Sequence, residues 1–243
     1  MSMVDGVVAL RRLIEEAEKI VFFGGAGVST ASGIPDFRGT YGLFQQQRGI
    51  SYEEMLSHQH FIDCPEDFFA FYTHGMLYPD AQPNGAHRAV AELEKRGKLT
   101  SVVTQNIDGL HAAAGNTNVI ELHGSVLRNT CGKCGRKYGI DRILEADGGV
   151  PYCDCGGIIK PDVVLYGESL DEKGITQAIQ FISECDLLIV AGTSLVVYPA
   201  AGFIRYARGK IALLNRDCTA YDSCANLIVH EDLEKILEEA VFS

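Results

Sequence analysis

Short apolar runs recur along this chain, and each stops at a glycine, threonine, asparagine or histidine: KIVFF before Gly24, LTSVV before Thr104, VIEL before His123, VVLY before Gly167, DLLIVA before Gly192, IALL before Asn215 and NLIV before His230. Short, Val/Ile/Leu-rich runs bounded in this way predict buried strands. Helical periodicity fills several of the gaps, at residues 7–18, 86–95, 171–184, 200–208 and 233–240. Strand and helix therefore alternate, which predicts an α/β fold: a parallel sheet with helices on both faces. Ligands of such sheets lie beyond the carboxyl ends of the strands, so chemistry is expected where the runs end.

Two stretches interrupt the alternation. One, at 40–83, predicts helices over 52–57 and 66–73; the other, at 124–160, is rich in Gly and Cys. They are expected to form a smaller module inserted in a larger domain made of residues 1–39, 84–123 and 161–243. A chain of 243 residues, 47% apolar and 22% charged, has ample material for a core and is not polar enough for disorder. No apolar run approaches the ~18 residues of a membrane span, and Asp5 precedes the first apolar stretch, the reverse of a secretory signal. The expectation is a cytoplasmic protein with no membrane partner. The net charge of −11 disfavours a nucleic-acid footprint and is compatible with basic peptides.

Directly after the first run comes Gly24-Gly25-Ala26-Gly27-Val28-Ser29-Thr30. Such a turn feeding a helix N-terminus suits a phosphate, and so a dinucleotide. Thr30 stands where a G-x-G-x-x-G fingerprint has its third glycine, and no acid-tipped second strand follows, so a merely tight structural turn stays open. Asn215 is a candidate ribose contact or simply a polar turn residue. His123, with an imidazole pKa near 6.5, is a candidate general base or a structural histidine.

Eight cysteines are too few for a disulfide scaffold. Cys131-Gly-Lys-Cys134, 18 residues, then Cys153-Asp-Cys155-Gly-Gly presents soft ligands on two glycine-bearing knuckles. Four thiolates fill a tetrahedral zinc and leave no site for water, so the metal is expected to be structural.

The strings GAGVSTASGIPDFRG, TQNIDGLH, ELHGS, the four clustered cysteines, KPDVVLYGE, GTSLVVYPAAG and LLNRD, in this order, resemble the sirtuin family over nearly the whole chain. The resemblance implies a Rossmann-like domain with a smaller zinc-ribbon and helical module, one structural Zn2+, and NAD consumed as co-substrate. It implies removal of acetyl groups from protein lysines, giving nicotinamide, O-acyl-ADP-ribose and free lysine, with nicotinamide also an inhibitor. The positions that match the family's motifs make Ala26, Thr30, Phe37, Arg38, Gln105, Ile107, Asp108, His123, Thr193, Ser194, Asn215 and Asp232 cofactor contacts, and Asn106, Asp108 and His123 also catalytic, with His123 the base. Acyl-peptide would add as a strand between Val163, Val164, Leu165 and Tyr166 on one side and Leu195 and Val196 on the other.

The chain departs from the family pattern twice. Its second cysteine pair is C-x-C rather than C-x-x-C. And where relatives that prefer succinyl or malonyl lysine carry Tyr-x-x-Arg, Tyr72 is followed by Gly75, which argues for acetyl or other neutral acyl groups. A protein ADP-ribosyltransferase and a non-catalytic NAD- or ADP-ribose-binding module are the competing readings.

Overall fold

The structure, a computed structural model, describes residues 3–36 and 49–243. Among them run nine strands: β1 (Ile20–Gly24), β2 (Leu99–Thr104), β3 (Val119–Glu121), β4 (Gly124–Cys131), β5 (Lys137–Tyr138), β6 (Ile159–Val163), β7 (Leu187–Ala191), β8 (Lys210–Leu214) and β9 (Leu227–Val229). The α-helices are α1 (Met3–Glu16), α2 (Tyr52–Met55), α3 (His58–Asp63), α4 (Pro65–Met76), α5 (Gly85–Lys95), α6 (Leu110–Ala113), α7 (Asp141–Leu144), α8 (Glu172–Glu184) and α9 (Leu233–Phe242).

Six strands form one parallel sheet in the order β3-β2-β1-β7-β8-β9. Every residue of β1 and β7 is buried, as a sheet covered on both faces requires. Successive side chains of β1 enter opposite cores. Ile20 and Phe22 pack with α1, α5 and α9, whereas Val21 and Phe23 pack with α8 and the 3-10 helix Ala200–Tyr206. Each fully buried phenylalanine contributes on the order of 2 kcal/mol. The strand order reverses direction between β1 and β7, which places the switch point, where such sheets open a crevice, beside Gly24 and Ala191.

The smaller unit has its own core, in which Phe68, Phe69 and Tyr72 of α4 pack with Ile143 and Ile159. Among the described residues its helical part holds three helices rather than the expected two. Pro65 fits the first position of α4, where its missing N–H costs no bond. The segment VVLY is not a fourth-from-last parallel strand. Residues 159–163 instead pair antiparallel with β4, with alternating burial that leaves one face of the strand half-exposed, and the strand stops at Val163. This small sheet therefore runs past the boundary placed at residue 160. Gly124, where the chain leaves the large sheet for the small one, has φ of +76°, and a Cβ there would lie 2.0 Å from the Asp162 carbonyl oxygen. Only glycine fits that crossing.

Candidate active site

The carboxyl ends of β1, β2 and β7 open into a cleft of about 1360 Å3. At its floor two glycine turns touch. A Cβ on Gly27 would lie 2.7 Å from the Gly192 Cα, and one on Gly192, at φ +61°, would lie 2.5 Å from the Val28 nitrogen. The Gly27 N–H donates to the Gly192 carbonyl at 2.8 Å. The turn after β1 coils into two short 3-10 helices, Ala26–Val28 and Thr30–Ser32, rather than into a long helix. Thr30 closes it, with its hydroxyl on the Gly27 carbonyl at 3.0 Å.

Asn84, the N-cap of α5, holds the same turn from behind. Its amide donates to the Val28 carbonyl at 2.8 Å and to the Ser32 hydroxyl at 3.0 Å, while its oxygen accepts the Ala86 N–H. Asn after Pro83 is an N-cap signal in the sequence, but its second task on the glycine turn has no sequence signature.

A polar relay crosses from β1 to β2. Ser29 donates to an Asp108 carboxylate oxygen at 2.6 Å, and the Asn106 amide donates to the Ser29 oxygen at 3.0 Å. The Asn106 N–H is fixed by the Thr104 hydroxyl, and the other Asp108 oxygen accepts the Leu110 N–H at 2.8 Å. Asn106 and Asp108 are thus brought together as expected, and Ser29, which sequence reasoning passed over, is the link between them. Ile107 lies beside them, its carbonyl accepting the Val126 N–H. Gln105 reaches across to the Thr193 hydroxyl at 3.0 Å.

His123 sits in the step from β3 to β4, on the cleft wall. Its Nδ1 lies 2.9 Å from the Gln105 carbonyl oxygen. A carbonyl only accepts, so Nδ1 carries the proton and Nε2 keeps its lone pair on the cleft side. Burial lowers the pKa of this imidazole below its ordinary value, and the bond to Gln105 opposes the shift without cancelling it. A neutral ring with a free nitrogen in a cleft is equipped to take a proton.

Other expected contacts take different places. Asn215 lines the cleft, but its side chain is spent on the backbone of Thr193, accepting that N–H at 2.9 Å and donating to that carbonyl, so it shapes the turn that carries Thr193 and Ser194. Asp232 caps α9 through the N–H groups of Glu234 and Lys235 while bordering the same cleft. Phe37 and Arg38 lie outside the described residues. Val163, Leu165 and Leu195 are only 3–5% exposed, although Val163 and Leu165 line the cleft; Val164, Tyr166 and Val196 are the more accessible members. The N–H groups of Val164, Leu165 and Tyr166 are already bonded, to His123, Glu168 and Leu56, so this edge offers no free row of donors.

In the small unit, the sulfurs of Cys131, Cys134, Cys153 and Cys155 all lie within 4.8 Å of one another. Cys131 and Cys155 are 3.5 Å apart and Cys134 and Cys153 3.6 Å apart. Zinc bound to four thiolates at ~2.3 Å needs sulfurs about 3.8 Å apart, so the cluster fits one structural zinc despite the C-x-C pair. A Cβ on Gly157 would sit 2.8 Å from the Cys131 sulfur, so that knuckle needs its glycine.

Similarity to known proteins follows the same residues. The Sir2 family profile matches residues 25–199. A Clostridium acetobutylicum protein named NAD-dependent protein deacetylase is 51% identical over 245 residues, covering 99% of this chain and 100% of that one. A Clostridium perfringens protein of the same name is 52% identical over 244 residues, covering 98% and 100%. A Sir2 structure with deacetylated p53 peptide and 3'-O-acetyl ADP ribose superposes with a TM-score of 0.88 at 36% identity, over 98% of this chain and 97% of that one. A Sir2 structure with p53 peptide and NAD+ gives 0.84 at 38% identity, over 98% and 96%. With glycine turn, relay, histidine and thiol cluster all inside one full-length match, this chain belongs to the Sir2 family.

Proposed function

We propose that this protein is an NAD-dependent protein lysine deacetylase. The observation that carries the reading is His123, held by Gln105 with Nε2 free in the cleft that Asn106 also lines, Asn106 being joined through Ser29 to Asp108 in the adjoining pocket. NAD, the co-substrate, supplies an electrophilic ribose carbon once nicotinamide departs. The glycine turn at Gly25–Gly27 and the Thr193 turn bring backbone rather than side chains to the cleft floor, leaving room for the dinucleotide's phosphates. Asn106 and Asp108, fixed by Ser29, hold the carboxamide of nicotinamide, and Asp108 needs no proton transfer for that task. His123 takes a proton from a ribose hydroxyl, which its lowered pKa permits at neutral pH. The products are nicotinamide, O-acyl-ADP-ribose and free lysine, and nicotinamide, competing for its own pocket, inhibits.

The acyl-lysine enters beside Leu56, Tyr72, Met76, Ile107, Val163 and Leu165. Among the described residues no cation stands beside these side chains, which favours a neutral acyl group over a carboxylate that they would leave unpaired. The peptide backbone crosses the mouth between the 164–168 and 194–198 loops, where Tyr166, Val196 and Tyr198 are exposed. Net charge of −11 favours basic peptides over nucleic acid as partners.

The test is nicotinamide release from NAD with an acetyl-lysine peptide, beside no-peptide, succinyl-peptide and His123→Ala reactions. Release that needs the acetyl peptide and collapses in the variant is expected. Peptide-independent release would instead indicate ADP-ribosyl transfer or NAD hydrolysis.

A further inference from the structure

Away from the relay and the thiol cluster, the loop after β8 and the end of β9 bring together three groups that the deacetylase reading does not use. The Cys218 sulfur lies 3.6 Å from His230 Nε2, and Asp222 Oδ2 lies 3.2 Å from the same nitrogen. All three ligand atoms fall within 4.8 Å of one another. A tetrahedral zinc with ~2.3 Å sulfur and ~2.0–2.1 Å nitrogen and oxygen bonds requires sulfur–nitrogen and nitrogen–oxygen separations of about 3.6 and 3.3 Å. The observed spacings match both.

Each of the two oxygen- and nitrogen-bearing ligands is also oriented by a partner behind it. His230 Nδ1 sits 2.9 Å from the Asn215 carbonyl, which fixes the proton on Nδ1 and turns the Nε2 lone pair toward Cys218 and Asp222. Asp222 Oδ1 accepts from the Thr219 N–H at 2.9 Å and the Thr219 hydroxyl at 2.7 Å, leaving Oδ2 for a ligand. A lone pair aimed at a carboxylate is repulsive unless a cation lies between them or the ring is protonated. Backing of a ligating histidine by a carbonyl and of a ligating carboxylate by donors is the arrangement metal sites use.

We propose that Cys218, Asp222 and His230 form a second divalent-metal site of the zinc class, with one coordination position open. Cys218 and Thr219 line the cofactor cleft, so the site lies on its wall, in the large sheet's half of the molecule and apart from the four-thiol cluster. With only three ligands, two of them exposed, it is an exchangeable site rather than a permanent one. Binding converts the Cys218 thiol to thiolate, with its proton released to solvent.

The test is zinc stoichiometry of the full-length protein at equilibrium dialysis against a fixed free Zn2+ concentration, with the free metal subtracted, for wild type, Cys218→Ser and His230→Ala. The quantity read is the difference between proteins, so it does not depend on whether the four-thiol cluster is filled. About one equivalent more in wild type than in either variant is expected. A parallel measurement follows alkylation of Cys218 by mass spectrometry, with zinc slowing its modification at least about tenfold in wild type and not in His230→Ala. Equal zinc content in all three proteins, or alkylation indifferent to zinc, would overturn the site and leave an ordinary histidine–aspartate pair beside a thiol.

Discussion

The ring of His123 and the main-chain carbonyl of Gln105 are joined by a 2.9 Å hydrogen bond that decides which imidazole nitrogen meets the substrate. Gln105 is itself anchored at both ends, its N–H on the Gly24 carbonyl and its side-chain amide on Thr193. The base is therefore positioned by β1 and the turn after β7 as well as by the β3–β4 step that carries it. Because burial lowers the His123 pKa, kcat/KM is expected to hold steady from alkaline pH down through neutrality and to fall only below about 6.5, the free imidazole value. A pH–rate profile checks this. An acid limb centred above that value would contradict the lowered pKa, and His123→Ala should lose at least about 100-fold in rate at every pH.

Gly27→Ala is expected to disable cofactor binding without touching any catalytic group. Its methyl would lie 2.7 Å from the Gly192 Cα, backbone against backbone, so the two turns must separate. Overpacking of this kind costs about 1–3 kcal/mol. The prediction is a lowered Tm together with an NAD KM raised about tenfold or more, and a peptide KM that changes much less. Equal KM values for NAD in variant and wild type would show that the turn contact does not support the cofactor.

How far these sites are legible in sequence depends on whether a residue acts through its type or through its surroundings. Gly27, His123 and the cysteines stand at strand ends or at ligand spacing, and both signals survive without coordinates. Asn215 reads as a ligand contact, yet its amide is consumed by Thr193, a partner 22 residues away that no local pattern announces. Leu195 reads as part of a peptide-binding loop. Its backbone, at φ +54°, turns the side chain into the core, and burial of one side chain in a loop has no periodic signature. VVLY has the composition of a parallel strand; of its residues only Val163 pairs with β4, antiparallel and opposite Gly124, and that crossing is a long-range fact.

Tyr72→Phe is expected to stabilise the protein and spare acetyl turnover. The Tyr72 ring is 1% exposed and stacks on Phe68 at 5.5 Å, but its hydroxyl is buried without a hydrogen-bond partner. Burial accordingly pushes the phenol pKa well up. Removing an unsatisfied buried hydroxyl while keeping the ring should gain about 1 kcal/mol. Denaturant melts and acetyl-peptide kinetics check it. A large loss of kcat/KM for acetyl-lysine would show instead that the hydroxyl is used by substrate.

Two buried histidines set the acid limit of the fold. His87 and His111 pack ring to ring at 4.8 Å, and burial lowers their pKa values to about 4 and about 3. The Asn84 N–H donates to His87 Nδ1, a bond that protonation of that nitrogen destroys. Both rings are neutral when folded and titrate near 6.5 when unfolded, so above pH 6.5 neither state gains a proton and there is no penalty. As pH falls from about 6.5 towards about 4, the unfolded chain binds protons that the folded one refuses, and stability drops by about 1.4 kcal/mol per pH unit for each ring. Denaturant unfolding of wild type and His111→Phe at pH 7.5, 6 and 5 measures the slope, and the variant should lose about half of this histidine contribution. Since Asn84 also holds the Val28 carbonyl, NAD affinity is expected to hold until pH approaches about 4, where His87 of the folded chain takes up its proton. A slope unchanged by His111→Phe would mean that the acid sensitivity arises elsewhere.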